Sequence, residues 1–166
     1  GNAAGALNLT GGTLDLGTTT QTRTGTITLN GATVSNGTLS SSGTFDTQSG
    51  TISAVLAGTG AVDRLRSRDY KASLTVGHPL LPKVTATGCA LSAVVAAFLA
   101  CHREDRFLAT LAALAAFGAA GAYAGDRAQG PGSFAVALLD AFPNLTAEFI
   151  EHSIETLHVE RLERTA

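Results

Sequence analysis

The 166-residue sequence contains no methionine and no tryptophan, and only 14% of its residues are charged. Its formal net charge is −2 and its pI about 6.1, which excludes the basic balance typical of proteins that bind nucleic acids or anionic membranes. The N-terminus lacks the basic stretch and apolar run of a secretory signal peptide. Because the initiator methionine is missing, we expect a processed or excised piece of a longer protein.

Cysteine is also scarce, and its placement excludes a disulfide. Cys89 and Cys101 lie in one stretch that we expect to be helical. A helix separates residues at that spacing by about 18 Å, too far for a disulfide bond between them. This usage is compatible with a reducing cytosol. No metal-ligating cluster is apparent, so we predict no metal ligands from the side chains.

The composition changes abruptly near residue 61. Up to that point the chain carries three charged residues, Asp15, Arg23 and Asp46, among many glycines, threonines, serines and asparagines. The remainder is rich in alanine and leucine and holds most of the charge. Such a shift within one chain favours two units. We predict a Gly/Thr-rich β-repeat segment over residues 1–60 and a second unit over residues 61–166.

Glycines in the first unit recur at a short, nearly constant period. The spacing is 6, 6, 6 and 7 residues through Gly25, Gly31, Gly37, Gly43 and Gly50. Threonine and apolar residues alternate between them, which is typical of short, half-buried strands. The pattern predicts a β-solenoid-like ladder with its apolar side chains stacked inward. The alternative is a flexible segment rich in Gly, Ser and Thr.

Two stretches of this unit, Gly11–Leu16 and Ser49–Gly58, resemble the β-helical passenger repeats of bacterial autotransporters. The resemblance extends over residues 5–61. It implies a secreted or cell-surface location, and therefore a structural role as an alternative to catalysis.

The second unit shows a different, mostly helical pattern. We predict two strands, Ala61–Leu65 and Lys71–Val76, followed by helices over Cys89–Cys101 and Phe107–Ala124. A third helix runs from Ser133 as N-cap to Ala141, a fourth from Ala147 to about His152 with Thr146 as its cap, and a final strand lies within Ile154–Leu162. Helices and strands mixed in this way predict an α/β portion behind the repeat segment.

The residues from Val84 to Cys89 form a loop of small side chains that opens the first helix. Backbone N–H groups converge at such a helix start, and the helix dipole adds positive potential there. The loop therefore predicts an anion-binding site. The same potential favours the thiolate form of a cysteine, so Cys89 is a candidate reactive residue.

Two mostly uncharged runs, residues 84–101 and 107–125, have nearly the length of a membrane span. Their apolar content is largely alanine and glycine, and neither end carries aromatic residues typical of a membrane interface. We therefore interpret them as helices packed in an α/β domain and expect no membrane contact. A membrane hairpin is the alternative.

Three ordered motifs, Thr59–Asp63, Gly77–Val94 and Gly130–Phe134 with Ala137–Asp140, carry a second resemblance. Their sequences resemble the signatures of the hydroxyethylthiazole kinase family, which has the ribokinase-like fold. The resemblance covers residues 58–164, the C-terminal portion of that enzyme. The N-terminal half of the family has no counterpart in the chain.

This resemblance implies phosphorylation of the hydroxyl of 4-methyl-5-(2-hydroxyethyl)thiazole by ATP and Mg²⁺ in thiamine synthesis, within a cytoplasmic homotrimer. Cys89 falls where the family places its catalytic base, and Ala86 falls on a glycine that lines the substrate site. Thr87 and Gly88 fall in the anion hole, together with the Cys89 amide, and Thr59 falls on a residue that contacts ATP.

The sequence thus predicts a mixed fold, an N-terminal β-solenoid-like ladder followed by a helix-rich α/β half-domain resembling the ribokinase-like fold. Two functions follow from its two resemblances. One is a hydroxyethylthiazole kinase impaired by its missing half. The other is a structural or surface protein that carries an inactive kinase remnant.

Overall fold

A computed structural model describes residues 5–58 and 61–162. All of its strands belong to one mixed sheet of eight. The strands are β1 (Leu7–Leu9), β2 (Thr13–Asp15), β3 (Thr20–Arg23), β4 (Ile27–Ser41), β5 (Phe45–Gly58), β6 (Asp63–Arg66), β7 (Tyr70–Thr75) and β8 (Thr156–Arg161).

The helices all follow β7 in the sequence. They are α1 (Thr87–Cys101), α2 (Arg106–Gly125), α3 (Pro131–Ala141) and α4 (Ala147–Ser153), with 3₁₀ turns at Leu81–Lys83 and Phe142–Asn144. The predicted mixed α/β class is confirmed, and each predicted helix and strand of the second unit is found close to its expected position.

In the first unit the chain returns beside itself in parallel. Leu7 pairs with Ile27, and Ile27 pairs in turn with Phe45. The three short strands β1, β2 and β3 each pair with a successive part of β4, and β4 pairs with β5 along most of its length. Shifts in the β4–β5 register lie near the glycines that the sequence spaces at six residues.

The apolar side chains of this unit are enclosed between its strands. Their buried cluster comprises Leu16, Ile27, Leu29, Ala32, Val34, Leu39, Ala54 and Leu56. Leu7, Leu9, Leu14 and Phe45 pack against the cluster and are partly exposed. The predicted inward placement of apolar residues is therefore confirmed for the described side chains.

The last part of β5 joins the two units. Its residues Leu56–Gly58 lie between β4, which is parallel, and β6, which is antiparallel. The sheet then continues through β7 to β8, both antiparallel to their neighbours. One sheet therefore begins with the parallel strands of the repeat segment and ends with the strands of the second unit.

Helix α2 packs across this sheet. Its residues Phe107, Leu111 and Leu114 share a buried cluster with Leu65 and Leu74 of the sheet. Farther along α2, a second cluster brings Phe117 and Ala120 against Phe134 and Leu138 of α3. Of the described helices, α2 alone is long and apolar enough to cross a membrane, and 72% of its apolar window is buried inside the structure.

Two predicted helix caps have different outcomes. The Thr146 hydroxyl accepts a hydrogen bond from the Phe149 N–H at 3.1 Å, so the predicted N-cap of α4 is confirmed. The prediction of Ser133 as N-cap of α3 is wrong, because the helix begins at Pro131 with Gly130 as its cap. The Ser133 hydroxyl lies in the third helical position and accepts from the Gly130 N–H at 3.2 Å.

Candidate anion site at the start of helix α1

The segment between β7 and α1 lies tightly against α2. Gly118, Gly121 and Gly125 follow one another along α2 at three- and four-residue intervals and so share a face. A Cβ atom on Gly118 would collide with Val76, and one on Gly125 would collide with His78. The glycines of α2 thus let the chain after β7 approach closely, and this approach sets the position from which α1 begins.

Helix α1 begins directly after a residue in a left-handed conformation. Ala86 is its N-cap, with φ 69°, and makes no side-chain capping hydrogen bond. Only glycine adopts such a φ without steric cost, so Ala86 holds a strained backbone conformation. The Ala86 carbonyl accepts the first helical hydrogen bond, from the Ala90 N–H at 3.0 Å.

The N–H groups of Thr87, Gly88 and Cys89 consequently precede the first helical donor and have no acceptor within the helix. The Thr87 hydroxyl lies 3.1 Å from the Leu81 carbonyl and 3.2 Å from the Val84 carbonyl, so it fastens the helix start to the preceding 3₁₀ turn. Its own N–H stays available for a ligand.

The surroundings of these donors suit an anion. Apart from its chain neighbours and the nearby backbone of α1, no described atom lies within 4 Å of the position that a Cβ atom would take on Gly88. The Cys89 thiol is exposed beside it. The first turn of α1 contains no acidic residue that would compete for the N–H groups. The start of α1 therefore carries three backbone donors and an exposed thiol within one helical turn.

Parallel strands end in register next to this helix. Arg23 of β3, Ser41 of β4 and Gly58 of β5 are aligned across the sheet. In open α/β sheets the carboxyl ends of parallel strands are the usual place for ligands. Thr59, the predicted ATP contact, follows β5 directly and lies outside the described residues.

A hydroxyl contact connects α1 to the end of β3. The Thr22 and Ser92 hydroxyl oxygens are hydrogen-bonded to each other. Ser92 also donates to the carbonyl of Gly88, at 2.9 Å. Sequence reasoning overlooked both residues. The four-residue interval between Gly88 and Ser92 was a possible signal, whereas nothing in the sequence pointed to Thr22.

His78 and Cys101, which we interpreted as structural, lie apart from the donors. The His78 ring stacks on Phe134 with centroids 5.8 Å apart, and its Nδ1 accepts from the Leu80 N–H at 3.3 Å. Cys101 is exposed at the last residue of α1, the end opposite Cys89.

The described residues fit the phosphates of a nucleotide better than they fit its metal or its base. The three free N–H groups of α1 match phosphate oxygens. No group of three His, Cys, Asp or Glu residues suited to a metal occurs in 5–58 or 61–162. Two cavities, of about 430 and 380 Å³, are lined by residues other than those at the start of α1.

The sequence matches a known protein family. A model of the "Hydroxyethylthiazole kinase family" matches residues 21–148, more than half of the sequence. The chain belongs to the hydroxyethylthiazole kinase family. The match begins inside the repeat segment, while the predicted boundary between units at residues 60 and 61 stays a prediction.

Curated hydroxyethylthiazole kinases share nearly half of their aligned residues with the chain. The enzyme of Rhizobium leguminosarum bv. trifolii is 48% identical over 98 residues, which is 59% of this chain and 37% of the relative. That of Desulfotalea psychrophila is 46% identical over 100 residues, 60% of this chain and 36% of the relative. The chain therefore spans little more than a third of the length of these kinases.

A solved hydroxyethylthiazole kinase shows the same fold. The protein from Pyrococcus horikoshii OT3 superposes with a TM-score of 0.58 at 34% identity, covering 67% of this chain and 42% of that one. The predicted kinase resemblance is confirmed by these findings. The resemblance to autotransporter repeats stays a prediction.

Proposed function

We propose that the chain takes part in ATP-dependent phosphorylation of the hydroxyl of 4-methyl-5-(2-hydroxyethyl)thiazole, a step of thiamine biosynthesis. The observation that carries the proposal is the open set of N–H donors at Thr87, Gly88 and Cys89, at the helix start where the family signature lies. Membership in the kinase family supports the substrate class.

Phosphoryl transfer suits this geometry. The transferring group spreads negative charge over its oxygens, and most of the catalysis comes from positioning and charge stabilisation. Donors that are fixed before the reaction stabilise such charge without reorganising. In this proposal the three N–H groups hold the phosphoryl oxygens, and the absent side chain of Gly88 lets them approach.

We assign the base to Cys89. Its thiol lies in the same turn as the donors and is open to an incoming hydroxyl. The Cys89 sulfur would take the proton of the substrate hydroxyl as that oxygen attacks the γ-phosphorus of ATP and the bond to ADP breaks. General-base catalysis of this kind contributes about 10²–10⁴-fold. Ala86 would contact the thiazole, and Thr59 would contact ATP.

ATP fits the proposal through its phosphates, and Mg²⁺ would neutralise their charge when bound. The described residues hold no cluster of carboxylates for the metal, so no step is assigned to it. The match covers only 37% of the Rhizobium leguminosarum kinase, so the residues of this chain account for only part of the proposed site. A cytoplasmic homotrimer with sites at subunit boundaries is the arrangement that the family resemblance implies.

An assay with ATP, Mg²⁺ and the thiazole alcohol tests the proposal. We expect phosphorylated thiazole to form, and the Cys89→Ala variant to lower kcat by about 10²–10⁴-fold with little change in ATP affinity. The Cys101→Ala variant is the matched control and should leave the rate unchanged. Equal product from the wild-type chain and Cys89→Ala would remove Cys89 from the mechanism, and absence of product would contradict activity of the chain alone.

A second function rests on the repeat segment. We infer that residues 5–58 form a short β-solenoid, since the strands stack in parallel, and Gly43 and Gly25 lie so close that neither has room for a side chain. The chain would then be a secreted or surface protein with an inactive kinase remnant. Fractionation of the source cells decides between locations, and recovery of the chain in the cytosol alone would contradict this second function.

A further inference from the structure

We propose that Thr22 and Ser92 are positioning residues, which use the repeat segment to orient the Cys89 N–H for anion binding. The inference rests on the proposed phosphate site at the start of α1. It extends that proposal, because it assigns a role to Thr22 of β3, a strand in which the sequence predicted no site residue.

The direction of the hydrogen bonds follows from the number of protons. A hydroxyl has one proton to donate. Ser92 uses its proton on the Gly88 carbonyl at 2.9 Å, because a carbonyl can only accept. The hydrogen bond between Ser92 and Thr22 must therefore use the Thr22 proton. The result is a relay from Thr22 to Ser92 to the Gly88 carbonyl.

The relay ends at the Gly88 carbonyl, which belongs to the same peptide unit as the free N–H of Cys89. The Gly88 carbonyl and the Cys89 N–H form one planar peptide group. In a trans peptide the C=O and N–H bonds lie in one plane and point in opposite directions. A hydrogen bond that orients the Gly88 carbonyl therefore also orients the Cys89 N–H. Hydrogen bonds in a chain also polarise one another, which strengthens the last donor.

The relay starts at Thr22, which the pairing of β3 with β4 holds in the sheet. Thr22 pairs with Ser40 of β4, and the Ser40 side chain is 7% exposed. Thr22 is itself partly buried against α1. A free helix end frays, whereas the first turn of α1 is tied at Thr87 to the preceding 3₁₀ turn and at Gly88, through Ser92, to the sheet.

Amide NMR spectra of ¹⁵N-labelled protein test the relay without any ligand. The nitrogen of Cys89 responds to hydrogen bonding at the carbonyl to which it is bonded. We expect Thr22→Val and Ser92→Ala to shift this resonance, and Thr20→Val to leave it in place. Thr20 is the matched control, since it has the same side chain on the same face of β3. Equal shifts from Thr20→Val and Thr22→Val would overturn the inference.

Titration with inorganic phosphate, followed on the Thr87, Gly88 and Cys89 amides, then tests the consequence. Loss of one hydrogen bond predicts a Kd about three- to tenfold higher for Thr22→Val and for Ser92→Ala. The double variant should bind no more weakly than either single variant, because either one breaks the relay. Ser92→Thr keeps the hydroxyl and should retain most of the affinity.

The two proposals fail in different ways. If phosphate shifts no amide in the wild-type chain, the anion site is contradicted and the positioning role falls with it. If phosphate binds and Thr22→Val binds it as tightly as Thr20→Val does, the anion site stands and the positioning role of Thr22 is contradicted.

Discussion

In residues 5–58 neighbouring strands bring backbone into contact with backbone at their glycines, whereas in residues 61–162 the glycines of α2 contact side chains. Gly43 of the first region faces the backbone of Gly25, while Gly121 of the second faces the side chain of Leu81. Glycine allows close approach in both cases. The difference is that a side chain can move aside and a paired backbone cannot.

This contrast predicts the largest difference between matched substitutions. In Gly43→Ala the new Cβ would lie 2.6 Å from the Gly25 backbone, and we expect the free energy of unfolding to fall by about 2–3 kcal/mol. In Gly121→Ala the Cβ would lie 2.8 Å from the Leu81 Cδ1 atom, which can rotate away. The gain in helix propensity, about 1 kcal/mol, should nearly offset that clash.

Urea titrations of both variants measure the difference. Gly132→Ala is a useful control, because nothing described lies within 4 Å of the new Cβ and the residue lies in the first turn of α3. If Gly43→Ala proves no more harmful than Gly121→Ala, the close stacking of backbone in the first region is contradicted.

Among the residues whose burial the structure describes, each region contains one completely buried threonine. Thr38 and Thr110 both have no exposed surface. The Thr110 hydroxyl donates to the Arg106 carbonyl at 2.8 Å, while the Thr38 hydroxyl has no hydrogen-bond partner among the described residues. Thr38 pairs with Val55, whose side chain lies in the apolar cluster beneath α2.

The two threonines should therefore respond in opposite directions to the same substitution. Thr38→Val removes an unsatisfied buried hydroxyl and should raise the free energy of unfolding by about 1 kcal/mol. Thr110→Val removes a satisfied hydroxyl and should lower it by about 0.5–1 kcal/mol. Chemical denaturation of the pair provides the test, and a loss of stability in Thr38→Val would show that its hydroxyl is satisfied.

These cases show how far sequence reasoning reaches. Local patterns predicted the alternating strand residues around Ile27 and Leu29 and the cap at Thr146, since period and side-chain chemistry act over a few residues. The start of α1 was also predicted close to its position at Thr87, because small residues before an apolar run indicate a helix start.

Contacts between distant parts of the chain were outside its reach. Nothing local indicates that β5 is shared by both regions, or that Thr22 lies against Ser92. The misplaced cap at Ser133 has a local cause, because Gly130 and Pro131 form the start of α3 three residues earlier than a Ser133 cap would.

Left-handed residues other than glycine allow a finer comparison of the regions. Asn36 has φ 59° and Ala86 has φ 69°. Ala86 makes no side-chain hydrogen bond at its cap position. Ala86→Gly should therefore relieve backbone strain and raise the free energy of unfolding by about 1 kcal/mol.

Asn36→Gly is the matched substitution in the first region and should gain less. Asparagine tolerates this conformation better than alanine does. Its side chain also donates to the Asp15 carboxylate at 2.8 Å, a hydrogen bond that glycine would lose. Thermal unfolding of both variants measures the effects. A larger gain in stability for Asn36→Gly than for Ala86→Gly would contradict a stabilising role for the Asn36–Asp15 hydrogen bond.

The smallest expected effect concerns the turn around Asp15, which Asn36 and Gly17 contact, and it depends on pH. Hydrogen bonds from the Asn36 side chain and the Gly17 N–H hold the pKa of Asp15 below its ordinary value of 3.8. A lowered folded-state pKa stabilises the fold above the unfolded pKa, and this stabilisation is lost as pH falls through the folded value. Because the carboxylate is fully exposed, we expect a small change.

Thermal midpoints of the wild-type chain and Asp15→Asn between about pH 2 and pH 6 separate this contribution from others. The advantage of the wild-type chain should be constant at the upper end of this range and should shrink below pH 4. In an Asn36→Ala background the pH-dependent part should become smaller, because Asn36 is the larger cause of the shift. An advantage that stays constant down to pH 2 would mean that the corner is held by backbone turns alone, as Gly17 with φ 58° and Gly37 with φ 45° would then suffice.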